Sequence, residues 1–327
     1  MDLKYSKVEG ELGRKVDDLF GDDSALMEVQ PGNILVPPKF QKFADRLLNM
    51  EVRPDDVWLV AYPRTGSSWT QEMIWCIGND LNFQRASKLI YLRAPVFEFT
   101  SMFSKDSSGI TSLIGETIDL VERMPSPRFI KSYLPRELLP RQLEVVKPKI
   151  IYVYRDPKEV APSYYDFCRL VHDLDGPFED FCELFLNSKV PMGPFWKHVL
   201  GFWKMRDEPN VLFLRYEDIA KDRGRAIDIV AEFMEKSISP EGREALLDHI
   251  SEEKVKTNHT LSIRPMLELR KSMLPRSRSN SNGSSSGSES SFNLKPGNFE
   301  ARLTEDMAKR FDKWAEENLS GTGLSLI

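Results

Sequence analysis

Within five residues, Arg64-Thr65-Gly66-Ser67-Ser68 gathers a guanidinium, a glycine and three hydroxyls. These are the parts needed to hold an oxyanion. Glycine lets the backbone approach closely, the serines donate and can cap a helix, and Arg64 adds a full positive charge. Ahead of this stretch, Val57-Trp58-Leu59-Val60-Ala61-Tyr62 is an apolar run too short for a buried helix, and behind it Met73, Ile74 and Ile77 recur at helical spacing. The pattern predicts a strand, a tight loop broken by Pro63 and Gly66, and a helix whose first N–H groups face the loop with partial positive charge. It is not a Walker A loop, because Gly-Lys-Ser/Thr is missing and one glycine stands where that motif has two. A single-glycine strand-loop-helix is equally compatible with a structural turn.

A second candidate lies downstream. Lys149-Ile150-Ile151-Tyr152-Val153-Tyr154 is the most strand-like run in the chain, and it ends at Arg155-Asp156-Pro157, where Asp156 can cap a helix that Pro157 opens. Arg155 is thereby placed at the carboxyl end of a strand, where open α/β sheets collect ligands, and Ser163 about two turns into the following helix. A structural Arg155–Asp156 pair fits the same spacing. Pro162 is expected to kink that helix near its start.

The elements that must position these residues set the frame. The chain has 327 residues, enough for one large α/β domain or two smaller ones, and a formal charge of −5, which argues against a general nucleic-acid binder. Cys76, Cys168 and Cys182 are too few and too scattered for a disulfide framework or a zinc cluster, and His172, His249 and His259 lack partners at metal spacing. The amino terminus has no apolar core with a cleavage site and no run is long enough to span a bilayer, so the expected compartment is the cytosol, with no membrane partner. Residues 1–38, polar and interrupted by Pro31, Gly32, Pro37 and Pro38, are expected to be a loosely ordered lead-in. Phe40, Phe43, Leu47 and Leu48 form one face of a short helix. Tyr91 to Phe103 is rich in aromatics and methionine, residues 104–124 suit a mobile loop and an amphipathic helix, and Arg128 to Lys131 is a short strand. Further helices are expected over Phe178–Phe185, Phe195–Trp203, Ile219–Met234 and Pro240–Ile250, with a parallel strand from Val211. Ser277 to Ser291 is almost wholly Ser, Asn and Gly and is expected to be a flexible insertion (276–291).

The fuller wording adds a resemblance. Tyr62-Pro63-Arg64-Thr65-Gly66-Ser67-Ser68-Trp69 resembles the 5'-phosphosulfate loop of the cytosolic sulfotransferases, usually Tyr-Pro-Lys-Ser-Gly-Thr-Thr-Trp. Tyr-x-x-Arg-Asp-Pro-Lys-Glu-Val-Ala-x-Ser-Tyr-Tyr, from Tyr152, is similar to the family segment whose Arg and Ser bind the nucleotide 3'-phosphate. Lys131-Ser132-Tyr133-Leu134-Pro135 resembles the family's Lys-Thr-His-Leu-Pro, which carries the catalytic lysine and histidine. The resemblance covers about residues 38–320. It implies a sulfotransferase-like domain over 39–327, a single α/β domain with a central parallel sheet flanked by helices.

It further implies 3'-phosphoadenosine 5'-phosphosulfate (PAPS, giving PAP) as co-substrate, no metal requirement, and a small apolar acceptor with a hydroxyl or amine. Arg64, Lys131 and Tyr133 would stand at the reacting centre. Arg64, Thr65, Gly66, Ser67, Ser68, Trp69, Arg155, Ser163 and Tyr216 would hold the nucleotide, with Lys295 the basic residue nearest the family's carboxyl-terminal clamp. His198, in a packing-helix motif, is expected to be structural. Aromatics of the 91–103 segment would either wall the acceptor pocket or be plain core.

Two departures stand out. Tyr133 replaces the family histidine, and Gly297-Asn298-Phe299 stands where Gly-Asp-Trp belongs, without the Arg-Lys-Gly that precedes it in the family. The charges of the usual dimer motif are swapped at Glu300 and Lys309, so the family dimer is not assumed. A tyrosine has a reference pKa of about 10, which nearby Lys131 and Arg64 are expected to lower. Three outcomes stay open: Tyr133 is a tuned base; it only orients an acceptor that loses its own proton; or the chain binds nucleotide with little or no transfer. The run from Ile74 to Phe83 is also similar to that of a sulfotransferase-like retinol dehydratase, in which sulfation prepares an alcohol for elimination.

Overall fold

Residues 2–21, 25–103, 111, 115–261 and 302–326 are described from a computed structural model. The chain opens with strand β1 (Lys4–Ser6), helix α1 (Gly10–Phe20), and strands β2 (Met27–Gln30) and β3 (Ile34–Val36), which pair antiparallel in the order β1-β2-β3. This corrects the expected loose lead-in. Val16, Leu19 and Phe20 share one face of α1 and are buried, as are Val29, Ile34, Leu35 and Val36. Pro31 and Gly32, read as breakers, instead shape the turn between β2 and β3. The small sheet joins the main body through Leu35, whose C=O accepts from Met192 N at 2.8 Å.

There follow α2 (Phe40–Leu48), β4 (Val57–Ala61), α3 (Ser67–Gly78), β5 (Phe129–Ser132), β6 (Lys149–Tyr154), α4 (Pro157–Val171), α5 (Phe178–Leu186), α6 (Phe195–Trp203), β7 (Val211–Arg215), α7 (Arg223–Phe233), α8 (Pro240–His249) and α9 (Glu305–Leu319). The last four strands form one parallel sheet in the order β5-β4-β6-β7. Every residue of β4 is buried, as suits a central parallel strand covered on both faces. The molecule is thus a single α/β domain with a parallel sheet flanked by helices.

Leu59 is level with Lys131 of β5 and with Ile151 of β6. The chain leaves β4 for β5 on one side and returns past it to β6 on the other, so the end of β4 is a topological switch point. Ligands in open parallel sheets bind at such crevices. The register therefore sets Tyr62–Gly66, Lys131–Tyr133 and Arg155 side by side at the carboxyl edge. Beyond β5, the stretch Pro95–Phe97 covers the edge: Lys131 N donates to Pro95 O at 2.9 Å and Phe97 N to Lys131 O at 2.7 Å. No helix among the described residues is long and apolar enough to cross a membrane.

Candidate active site

The loop after β4 is held by Thr65, whose hydroxyl donates to Tyr62 O at 2.9 Å and also lies 3.3 Å from Val153 O of β6. Fully buried, Thr65 offers an anion only its backbone; its side chain fastens the loop to the sheet. Arg64 and Gly66 both adopt positive φ, 72° and 85°. At Gly66 this conformation is matched by close approach, since a Cβ there would lie 2.1 Å from Tyr216 Cδ2. Glycine is needed on both counts. Ser67 and Ser68 begin α3, one buried and one exposed, but Gly66 occupies the cap position and no side chain caps the helix, so the capping role offered for the serines is not realised.

Arg64 Nε donates to Ser163 Oγ at 2.7 Å, which links the loop to α4. The helix continues through Pro162, and Asp156 caps it by accepting from Lys158 N at 2.8 Å. Arg155 does not take Asp156 as partner; its Nη2 meets Glu159 Oε2 at 2.9 Å, and its guanidinium lies 4.5 Å from the centre of the Tyr216 ring. Tyr216 thus touches both Gly66 and Arg155 and joins the two predicted phosphate-binding points. Trp69 is set differently, since its indole N–H donates to Ile250 O at 2.7 Å and anchors α3 to the end of α8. Lys295, Gly297-Asn298-Phe299 and the 276–291 insertion lie outside the described residues, as do 104–110 and 112–114 of the expected loop.

Lys131 is 1 % exposed, and its Nζ donates to Ser68 Oγ at 3.2 Å and Gln71 Oε1 at 3.3 Å. Burial, reinforced by Arg64, lowers its pKa to about 7, against the pull of Glu98. The Tyr133 ring lies 5.0 Å below the same Nζ. Here the expected lowering is reversed: burial drives the Tyr133 phenol well above its usual range, Glu98 adds to the rise, and Arg64 and a hydrogen bond with Ser67 offset only part of it. Tyr133 is a neutral phenol at physiological pH.

Glu98 is a member of this site that the motifs did not reveal. Its Oε2 accepts from Ser132 Oγ at 2.8 Å and its Oε1 from Tyr133 N at 2.7 Å, so one buried carboxylate fixes the end of β5. Burial raises its pKa to about 7. The available signal was a lone acid in the apolar run Val96-Phe97-Glu98-Phe99. From the other side, His198 Nε2 lies 3.0 Å from Tyr133 O, and Tyr152 OH lies 2.7 Å from His198 Nδ1. Burial lowers the His198 pKa to about 4, so the neutral ring donates from Nε2 and accepts at Nδ1. His198 is structural, as expected. Tyr91, Phe97, Phe99, Met102 and Phe103 are all buried core.

Three basic side chains, Arg64, Lys131 and Arg155, therefore converge with a helix N-terminus on the ends of β4, β5 and β6. Such an arrangement can hold a polyanion and stabilise charge on a departing phosphate.

A family model described as "Sulfotransferase domain" matches residues 54–323. Luciferin sulfotransferase of Photinus pyralis is 35% identical over 293 residues, spanning 86% of this chain and 76% of that protein. Among solved structures, retinol dehydratase in complex with retinol and PAP superposes with a TM-score of 0.86 at 27% identity, covering 99% of each chain. The complex of retinol dehydratase with androsterone and PAP gives 0.85 at 27% identity, with 99% and 98% coverage.

Proposed function

The chain belongs to the sulfotransferase family, and from that premise we propose that it transfers a sulfuryl group from PAPS to the hydroxyl of a small apolar phenol. The convergence of Arg64, Lys131 and Arg155 at the ends of three adjacent strands carries this reading. The loop 64–68 and Lys131 hold the 5'-phosphosulfate, and Arg155, backed by Tyr216 and with Ser163 nearby, holds the 3'-phosphate. The donor supplies an activated sulfuryl group. The acceptor oxygen forms the new S–O bond as the bond to the 5'-phosphate breaks, and Lys131 and the first N–H groups of α3 take up the charge left on that phosphate.

The acceptor proton selects the substrate class. Tyr133, a neutral phenol, orients the acceptor rather than deprotonating it, and both oxygens of Glu98 are engaged with Ser132 and Tyr133. An acceptor acidic enough to lose its own proton, a phenol, fits this environment better than an aliphatic alcohol. Assays with radiolabelled PAPS against phenols, alcohols and amines test the assignment; nucleotide-dependent thermal stabilisation with no product from any acceptor would make the chain a nucleotide binder only.

Tyr133→Phe should change turnover of an acidic phenol by less than about tenfold, whereas loss of a true general base costs about 10²- to 10⁴-fold. Tyr133→His should raise turnover most for weakly acidic acceptors. A loss of a hundredfold or so in the phenylalanine variant, on acidic phenols, would restore Tyr133 as the base.

Nucleotide binding should also take up protons. In the free protein Lys131 has a pKa of about 7, so above that pH it is mostly neutral. Bound phosphates favour the ammonium form and raise this pKa, so the complex binds more protons than the free protein and PAP affinity falls as pH rises through 7 and above. Calorimetry in buffers of different ionisation enthalpy reads the uptake directly; identical heats in all buffers at pH 8 would refute it.

A second reading rests on the end-to-end likeness to retinol dehydratase. Here the sulfated acceptor loses sulfate and a proton to give an alkene. Mass spectrometry separates the two readings: a retained sulfate ester supports transfer alone, and a dehydrated product with free sulfate supports elimination.

A further inference from the structure

Away from the phosphate loop, α3 turns Glu72 and Cys76, one helical turn apart, toward His249 at the end of α8. Their ligand atoms lie within 4.8 Å of one another. The two oxygens of the fully buried Glu72 carboxylate are divided between partners. Oε2 is bound by the guanidinium of Arg93, which itself lies over the Trp75 ring at 4.4 Å. Oε1 accepts from both His249 Nε2 at 2.7 Å and Cys76 Sγ at 3.5 Å. From the geometry we infer that Glu72 Oε1, Cys76 Sγ and His249 Nε2 form a zinc site that staples α3 to α8.

The donor set is one that zinc takes, a thiolate, an imidazole and a carboxylate, with the fourth position left to water. Tetrahedral zinc at ordinary bond lengths sets S and O about 3.5 Å apart and N and O about 3.3 Å apart. The Cys76–Glu72 separation already matches, and the His249–Glu72 contact must open by roughly half an ångström, a movement available to a side chain at a helix end that is 21% exposed. Arg93 plays the outer-shell part, orienting the carboxylate from its far oxygen and reducing the site's net negative charge. Phe83 packs on the imidazole at 4.8 Å.

Binding is balanced by protons. The thiol, held protonated by burial and Glu72, gives up its hydrogen as the Zn–S bond forms, and the hydrogen that His249 Nε2 donates to Glu72 in the metal-free protein is carried by Nδ1 instead, which frees the Nε2 lone pair for the metal. Cysteine spacing gave no hint of the site because His249 lies 177 residues from Glu72.

The test uses the full chain, cleared with a chelator and titrated with Zn²⁺ or Co²⁺ alone. One Zn²⁺ per chain should raise the melting temperature, and Co²⁺ should give a near-ultraviolet thiolate charge-transfer band. Loss of an outer-shell partner alone costs about 10- to 100-fold in affinity, so Cys76→Ser and His249→Gln should each weaken binding by at least about 100-fold. Cys182→Ser should leave it unchanged. His249→Gln, at a partly exposed position, keeps the test valid if Cys76→Ser folds poorly. Co²⁺ binding without a thiolate band, or Zn²⁺ stabilisation undiminished in His249→Gln, would overturn the site. Because the readouts are metal affinity and spectrum, the result is independent of sulfotransferase activity.

Discussion

Lys131→Met should lower sulfuryl-transfer turnover by about 10²- to 10³-fold while leaving the protein at least as stable. Both halves follow from the setting of the amine. Nζ is buried against neutral partners, Ser68 and Gln71, so among the described residues no bonded counter-ion offsets the desolvation of its ammonium form, and the pKa falls to about 7. Methionine fills a similar volume and removes that desolvation penalty. In the transition state, however, negative charge gathers on the 5'-phosphate next to this position, and a preorganised cation is worth most there. Single-turnover rates with radiolabelled donor, paired with urea denaturation, separate the effects. A variant that keeps turnover within tenfold would remove Lys131 from the reacting centre. A variant that loses several kcal/mol of stability would mean that the amine is structural.

The same contrast explains what the sequence made legible. The phosphate loop and the Arg155 segment could be read because their logic is local: a strand, a turn and a helix adjacent in sequence, with Gly66 and Asp156 at positions that backbone geometry demands. The parallel sheet followed from those units. Burial was not legible, and burial decides the chemistry of Tyr133. Counting nearby charges predicted a lowered pKa, whereas desolvation of the enclosed phenol outweighs Arg64 and raises it. Contacts between distant segments were hidden as well. Glu98 meets Tyr133 from 35 residues upstream, and β2 and β3 are ordered by apolar packing that a run of prolines and glycines concealed.

Asp56→Asn should cost about 3–5 kcal/mol of folding stability without changing the turnover of the molecules that remain folded. Asp56 and Arg128 are both 1 % exposed and form a two-pronged pair, Nε to Oδ1 at 2.7 Å and Nη2 to Oδ2 at 2.5 Å. Asp56 Oδ2 also accepts from Arg53 N at 2.9 Å, and Arg128 Nη2 donates to Glu51 O at 2.9 Å, so the pair locks the entries of β4 and β5 together beside the bond from Val57 N to Arg128 O at 2.8 Å. An amide at position 56 turns N–H toward a guanidinium and leaves a buried cation uncompensated, which is the expensive way to break such a pair. Replacing both partners together with apolar residues, as in Asp56→Leu with Arg128→Met, should restore most of the loss, because the pair stabilises little beyond what good packing supplies. The pair stands at the starts of the strands; at the rise of an extended chain Lys131 is about 10 Å further along β5 and the phosphate loop about 15 Å or more beyond Asp56. Denaturant midpoints should therefore move while the rate per folded molecule does not. If Asp56→Asn slowed turnover at full folding, β4 and β5 would be transmitting strain along their length, and the spacing of Lys131 from the phosphate loop would depend on this distant ion pair.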